Sequence, residues 1–223
     1  CGSFDREKII SLCKRFFGLP ASADELPPLS KAEFCTGVHI FDKKTEQNQI
    51  AIGFSAPSLE SDSRFACQLI ASMLGGSASS RLFRRLREEQ GLVYSVDAGA
   101  MSFLSAGVFA VTMGVSRESE KKAVLAAAEV LREFPDTVTE NELDLARSHY
   151  LSGLIMSLES NSVRASRYGT GELLLGGAIS EKELEEKIRN VGIDEIRTLA
   201  RSFSSLSDAC ICAVGKTAGT KFY

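Results

Sequence analysis

Histidine is scarce in this sequence, and the short motifs of common hydrolases are absent. The two histidines, His39 and His149, belong to neither an H-E-x-x-H nor an H-x-x-E-H motif, which excludes a self-contained zinc site of either helical type. A G-x-S-x-G nucleophile turn and a G-x-x-x-x-G-K-[ST] phosphate loop are missing too. Cys35 and His39 are the nearest thiol and imidazole in sequence, but a strand would hold them about 13 Å apart. The sequence therefore contains no complete active site, and we interpret both histidines as structural or surface residues.

Long apolar runs and a surplus of positive charge are also lacking. No apolar run reaches about 18 residues and no signal peptide opens the chain, which argues against a membrane segment. The net charge of −3 and the pI near 5.6 argue against a nucleic-acid or anionic-membrane partner. The chain begins at Cys1 rather than at methionine, and we interpret it as a segment trimmed from a longer protein.

The cysteines do not form a recognisable framework. None of the six belongs to a C-x-x-C pair, and a chain of 223 residues does not need disulfide staples. Cys210 and Cys212 lie two apart in a strand-like run, which predicts that they share one face of a sheet. We interpret the cysteines as buried structural thiols of a soluble protein in a reducing, cytoplasmic compartment.

The first part of the chain predicts a helix, a linker and two strands. Apolar periodicity behind an aspartate N-cap predicts a helix over residues 5–17. Residues 18–32 hold three of the five prolines and are the best linker candidate. Strands are predicted over 36–42 and 48–55, paired as a hairpin around Lys43–Glu46.

The remainder is mostly helical. The segment Thr139-Glu-Asn-Glu predicts a capping box that opens a long helix toward Leu158, and Pro135 is expected to break the helix before it. Further helices are predicted at 63–73, 79–89, 118–132, 162–176, 180–190 and 193–203. Further strands are predicted at 93–101, 106–115 and 208–215. This succession predicts an α+β fold of two layers, a mostly antiparallel or mixed sheet with helices packed on one face.

The most informative segment runs from Leu74 to Val96: a glycine-rich turn, an arginine-rich helix, a glycine stop and the start of a strand. If Gly91 turns the chain, Arg87 and Tyr94 converge on one spot, a useful pair for gripping a peptide carbonyl. A structural alternative remains open, in which Arg87 bonds last-turn carbonyls and Tyr94 is an ordinary strand residue. The other cations of this helix are interpreted as a solvated face: Arg81, Arg84 and Arg85.

Three segments resemble the C-terminal half of the pitrilysin, insulinase and mitochondrial-processing-peptidase family. They are Gly75 to Tyr94, Gly2-Ser-Phe-Asp with the helix that ends before Gly18, and Ser157-Leu-Glu-Ser-Asn-Ser with Arg164. The motif Arg-Glu-x-x-Gly-Leu-x-Tyr over 87–94 is the most specific element. The likeness covers nearly the whole chain in order.

In that family two homologous α+β halves close around a peptide. The N-terminal half holds zinc through an H-x-x-E-H motif and a distant glutamate, and the C-terminal half supplies an arginine and a tyrosine near the metal. The resemblance implies that Arg87 and Tyr94 have these roles here. It further implies that residues 1–31 are a terminal helix and linker left from the preceding half, and that residues 32–223 form the C-terminal domain.

The function that the resemblance implies is the substrate-binding, zinc-free half of a zinc metalloendopeptidase, inactive alone. No cofactor is expected in this chain, and zinc is expected in the N-terminal half of the parent protein. The implied partners are that half or a homologous subunit, a peptide substrate, and a second copy through the exposed inter-half face. The alternative is a structural or assembly half from a non-proteolytic relative. An unrelated free-standing enzyme has least support, because no nucleophile–base pair is visible.

Overall fold

A computed structural model describes residues 1–18, 32–217 and 222. This part of the chain contains seven α-helices, five β-strands, one π-helical segment (Phe83–Glu89) and one 3₁₀ turn (Leu206–Asp208). The helices are α1 Arg6–Phe17, α2 Ser63–Gly75, α3 Glu120–Thr137, α4 Glu140–Ser157, α5 Asn161–Leu175, α6 Glu181–Asn190 and α7 Ile193–Arg201. The strands are β1 Gly37–Asp42, β2 Asn48–Ala56, β3 Val93–Ser102, β4 Gly107–Val115 and β5 Cys210–Gly215.

The five strands form one mixed sheet in the order β1-β5-β2-β4-β3. Only the β1–β5 pair is parallel, and the other three pairs are antiparallel. The predicted α+β fold with a mixed sheet is confirmed. Most of the predicted linker, residues 19–31, lies outside the described residues.

The predicted hairpin of β1 with β2 is wrong, because β5 lies between these two strands. Skipping one strand requires the connection to span about 10 Å, twice the spacing of neighbouring strands. Residues 43–47 make this crossing, and the amide of Lys43 donates to the carbonyl of Gly215 at 3.2 Å, at the end of β5. Strand propensity identified both strands, but it carries no information about a third strand from the far end of the sequence.

The helices cover one face of the sheet. Alternate residues of β2, β4 and β5 point into this interface and are buried: Ile50, Ile52, Phe54, Phe109, Val111, Met113, Ile211 and Ala213. The ring of Phe109 stacks on that of Phe203 at 4.5 Å between centroids, just beyond α7. The alternation of buried and exposed residues therefore has period two along these strands, as a sheet with one covered face requires.

Helix ends follow the predicted capping signals, with one exception. Thr139 and Glu142 form the capping box of α4, and the Asp5 carboxylate accepts from the amide of Lys8 at 3.1 Å at the start of α1. Pro135 does not break α3, which continues to Thr137. Proline is tolerated there because it lies in the last turn, where the helix loses only one hydrogen bond before it ends.

A close contact between α2 and β3 sets the position of the segment from Leu74 to Val96. A Cβ atom on Gly75 would lie 2.0 Å from the backbone nitrogen of Ala98, so only glycine lets the end of α2 approach β3 this closely. The chain therefore leaves α2 directly above the strand that carries Tyr94. The first glycine of the Gly75–Gly76 pair thus serves packing between α2 and β3.

Candidate functional site

Arg87 lies in the π-helical segment Phe83–Glu89 rather than in a regular α-helix. Leu86 is fully buried and anchors this segment, whereas the Arg87 side chain is exposed. The Arg87 guanidinium lies over the ring of Phe83 at 5.1 Å, a cation–π contact one turn back. π-Helical turns are rare and occur frequently at functional sites, because they shift side chains out of the regular helical positions.

Gly91 turns the chain between Arg87 and the next strand. Its φ angle is +60°, in the left-handed region that favours glycine. The amide of Leu92 donates to the carbonyl of Leu86 at 2.8 Å and closes this reversal. The turn predicted at Gly91 is confirmed.

Tyr94 is the extra residue of a β-bulge. Val93 of β3 pairs with Val115 of β4, but the next pair joins Ser95 to Gly114, so Tyr94 has no opposite residue. Tyr94 and Ser95 are both exposed between buried Val93 and Val96, and Tyr94 is 55% exposed. Bulges change the direction of a side chain and are enriched beside active sites.

Arg87 and Tyr94 thus occupy the two arms of one turn, with a backbone irregularity at each. In the part of the chain described, no hydrogen bond or ion pair occupies the Arg87 guanidinium or the Tyr94 hydroxyl, and no hydrogen bond joins the two. Neither group is sealed under packed side chains. Their polar ends are therefore accessible to a ligand. Sequence spacing indicated the turn but gave no signal for the π-helical segment or the bulge.

Arg81 is not the solvated cation that the sequence predicted. Its guanidinium pairs with both carboxylate oxygens of Glu142 at 2.8 Å, donates to Thr137 and lies over the ring of Phe134 at 5.0 Å. The hydrogen bond from Arg81 lowers the pKa of Glu142, although burial raises it in part. Arg81 ties the start of the arginine-rich helical segment to α4, because the planar guanidinium can form two parallel hydrogen bonds to the Glu142 carboxylate. Arg84 and Arg85 are exposed, as predicted.

No described element covers the face of the sheet opposite the helices, and the central strands carry small side chains there. Its central strands place small or glycine residues side by side: Ala51 beside Thr112, and Gly53 beside Ala110. Gly99 extends this row onto β3. We refer to this surface, formed by the outward-facing residues of β1–β5, as the open face. This face was not predicted, although the alternation of large and small residues along β2 and β4 carries the signal.

The histidines and most thiols lie near the surface. Cys210 and Cys212 share one face of the sheet, as predicted, with sulfur atoms 4.0 Å apart, but this is the open face and both are half-buried rather than buried. The prediction of buried thiols holds for Cys67, where burial raises the pKa to about 12, but Cys1, Cys13 and Cys35 are exposed. Burial is wrong for these three because Cys1 precedes α1, Cys13 lies on α1 and Cys35 precedes the edge strand β1, and no described element covers them.

Among the described residues, no group of three or more histidine, cysteine, aspartate or glutamate side chains is placed to hold a metal ion. No helix of residues 1–18, 32–217 and 222 has the length and apolar character needed to cross a membrane.

Comparisons with known proteins agree with the motif. The model of a family described as "Peptidase M16 inactive domain" matches residues 1–150. The chain is 29% identical over 223 residues to an uncharacterized zinc protease of Rickettsia bellii, covering 98% of this chain and 53% of that protein. It is 29% identical over 196 residues to the uncharacterized zinc protease YmxG of Bacillus subtilis, covering 87% and 48%. The chain thus spans about half the length of these curated relatives.

Solved structures share the fold. The peptidase M16 inactive domain from Pseudomonas fluorescens aligns with a TM-score of 0.75 at 20% identity, over 98% of this chain and 53% of that one. A chain of complex III2 from Candida albicans aligns with a TM-score of 0.84 at 18% identity, over 96% and 54%. The resemblance drawn from residues 75–94 is confirmed: this chain belongs to the peptidase M16 inactive-domain family.

Proposed function

We propose that this chain is the substrate-facing, zinc-free half of a zinc-dependent metalloendopeptidase. The observation that carries the proposal is the pair Arg87 and Tyr94, which extend exposed polar groups from the two arms of the Gly91 turn. Membership of a family of inactive peptidase domains supports it, as do relatives named zinc proteases. The metal chemistry belongs to the other half of the protein.

The two side chains have distinct roles in this proposal. The Tyr94 hydroxyl donates a hydrogen bond to the peptide carbonyl oxygen that gains negative charge during hydrolysis. The Arg87 guanidinium donates to backbone carbonyls of the bound peptide and holds it in place, because its planar fork offers several N–H groups in fixed directions. Tyr94 therefore acts on the transition state and Arg87 on substrate positioning.

Exposed apolar surface indicates where a partner half binds. None of the residues of α1 is buried, and Phe16 and Phe17 are 71% and 84% exposed. Apolar side chains at this density are typical of a surface that another protein covers. The N-terminal half is the proposed occupant. A second copy is the competing occupant, and a dimer seen by light scattering of this chain alone would favour it.

The test requires the native N-terminal half, joined to this chain or mixed with it, and an assay of peptide cleavage. Tyr94→Phe is expected to lower kcat about 10²-fold, because the variant loses one donor to the developing charge. Arg87→Ala is expected to raise KM more than it lowers kcat, because it loses contacts made equally in the ground state. Reading the residues that precede Cys1 for H-x-x-E-H gives an independent check.

Matched controls separate these roles from general damage. Arg85→Ala removes an exposed cation of the same π-helical segment, one that pairs with Glu89 at 3.2 Å, and is expected to leave both kinetic constants within about twofold. Ser95→Ala is the matched control for Tyr94→Phe, because it removes the hydroxyl of the neighbouring exposed residue on the bulge. Unchanged cleavage in both Arg87→Ala and Tyr94→Phe would overturn the proposal and leave the structural or assembly role.

A further inference from the structure

A groove lies beneath α5, away from Arg87 and Tyr94. It has a volume of about 560 Å³, within the range of small-molecule sites. One wall is α5. The other three are the start of α2, the segment that joins α5 to α6, and α6 itself. Its apolar lining comes from α5, from the segment between α5 and α6, from α6 and from the loop before α2: Leu59, Val163, Leu175, Ile179 and Leu184.

Two arginines line this apolar groove, Arg64 from α2 and Arg167 from α5. The Arg167 Nη2 donates to the carbonyl of Ile179 at 3.1 Å, but its Nη1 is buried without a hydrogen-bond partner. The Arg64 guanidinium lies over the ring of Phe65 at 4.5 Å. A buried guanidinium nitrogen without an acceptor is costly, so this arrangement favours a ligand that supplies one.

The groove contains positive charge without a matching negative charge. None of its described lining residues is acidic. Across residues 1–18, 32–217 and 222, no ion pair involves Arg64 or Arg167. Burial raises the pKa of Tyr150, and the charges of Arg167 and Arg64 both act against this rise, so the two cations lie near one phenol.

We propose that this groove binds a monocarboxylate with an unbranched apolar chain, its carboxylate on Arg167 and Arg64 and its chain along the apolar lining. A carboxylate matches the free N–H of Arg167 and compensates the charge. The apolar walls favour a hydrocarbon body over the polar body of a nucleotide or sugar phosphate. The proposal is independent of the peptidase function, because none of the groove residues belongs to the Arg87 and Tyr94 site.

Isothermal titration calorimetry with octanoate tests the proposal directly. We expect a Kd of about 0.1–1 mM for octanoate, in line with ligands of this size. Octan-1-ol has the same chain without the charge and is expected to bind at least about tenfold more weakly, whereas acetate has the charge without the chain and is expected not to bind. Equal affinities for octanoate and octan-1-ol, or no octanoate binding, would overturn the proposal.

Two substitutions on α5 test the assigned residues. Arg167→Met keeps the apolar stem and removes the guanidinium, and it is expected to weaken octanoate at least about tenfold while leaving octan-1-ol within about twofold. Arg164→Met is the matched control, because Arg164 lies three residues earlier on the same helix, pairs with Glu181 at 3.4 Å and does not line the groove. Equal weakening in both variants would refute the role of Arg167.

A space-filling variant guards against misfolding as the explanation. Ser166 lines the groove on the exposed helix α5, so Ser166→Trp fills the groove without touching the buried core. It is expected to weaken both octanoate and octan-1-ol at least about tenfold, with an unchanged thermal unfolding midpoint. Retained octanoate binding in Ser166→Trp would place the ligand elsewhere and overturn the assignment.

Discussion

The two faces of the sheet differ in what their side chains do. On the covered face, β2 and β4 bury large apolar residues such as Phe54 and Phe109 against the helices. On the open face, the same strands place Ala51 beside Thr112 and Gly53 beside Ala110. Because side chains alternate along a strand, one short sequence serves both purposes. Large side chains stabilise the fold from one side, and small ones keep the other side accessible.

This difference separates residues that stabilise the fold from residues that stay accessible. Changes on the covered face remove packing that nothing else replaces. Changes on the open face alter side chains that are mostly half-buried or exposed. The turn that carries Arg87 and Tyr94 combines both kinds of residue, because the neighbouring Leu86 and Val93 are buried in the core while Arg87 and Tyr94 are exposed.

The largest effect is expected from the covered face. Phe109→Ala deletes a ring that is fully buried and stacked on Phe203, and it is expected to lower the free energy of unfolding by about 3–5 kcal/mol. Thr112→Ala, three residues later on the open face of the same strand, is expected to change it by less than about 0.5 kcal/mol. Urea denaturation measures both. Similar losses in the two variants would abolish the distinction between the faces.

A smaller effect is expected at the turn. Gly91→Val is expected to cost about 1–3 kcal/mol, because a β-branched residue is strained at a φ of +60°. Gly99→Val is the matched control, since a Cβ at either position would meet no atom within 4 Å but only Gly91 has a positive φ. Thermal denaturation distinguishes them. Normal stability of Gly91→Val would mean that the turn tolerates side chains.

The smallest effect is expected from the Arg81–Glu142 pair, and it depends on pH. The pKa of Glu142 is lowered below its ordinary value of 4.5 in the folded chain, so the native state binds this proton more weakly than the unfolded state. The stabilisation is therefore present above about pH 4.5 and is lost as pH falls through the lowered pKa. Because the pair is partly exposed, it contributes roughly 0.5–1 kcal/mol at pH 7.

The measurement compares the wild type with Glu142→Gln by urea denaturation between pH 7 and pH 3. The gap in stability is expected to be largest at neutral pH and to close at acid pH. Asp97→Asn on the open face serves as the control, because Asp97 forms no ion pair among the described residues. A gap for Glu142→Gln that does not change with pH would exclude a role for the carboxylate charge.

Local signals in the sequence were sufficient for most elements. Periodicity and caps predicted α1 and α4, and the Gly91 turn was predicted from its neighbours. The β1–β2 hairpin was wrong because pairing depends on a strand distant in sequence. The role of Arg81 was missed because its partner Glu142 is in another helix. Tertiary contacts decide such features, and the local pattern does not contain them.

The candidate site was predictable to a similar degree. The motif identified Arg87 and Tyr94, and their proposed roles remain to be tested by kinetics. The π-helical segment and the bulge at Tyr94 are irregularities of the backbone beside the buried residues Leu86 and Val93, and spacing alone does not reveal them. The groove beneath α5 was not predicted either, since Arg64 and Arg167 are brought together only by the folded helices.

The position of β5 between β1 and β2 has a consequence during biosynthesis. Gly37 pairs with Cys210, so among the described strands β1 has no neighbour until residues 210–215 have left the ribosome. Until then one edge of β2 also lacks its partner, and unpaired edges invite association with other nascent chains. The sheet therefore depends on β5, which lies far along the sequence, to protect edges that were made early.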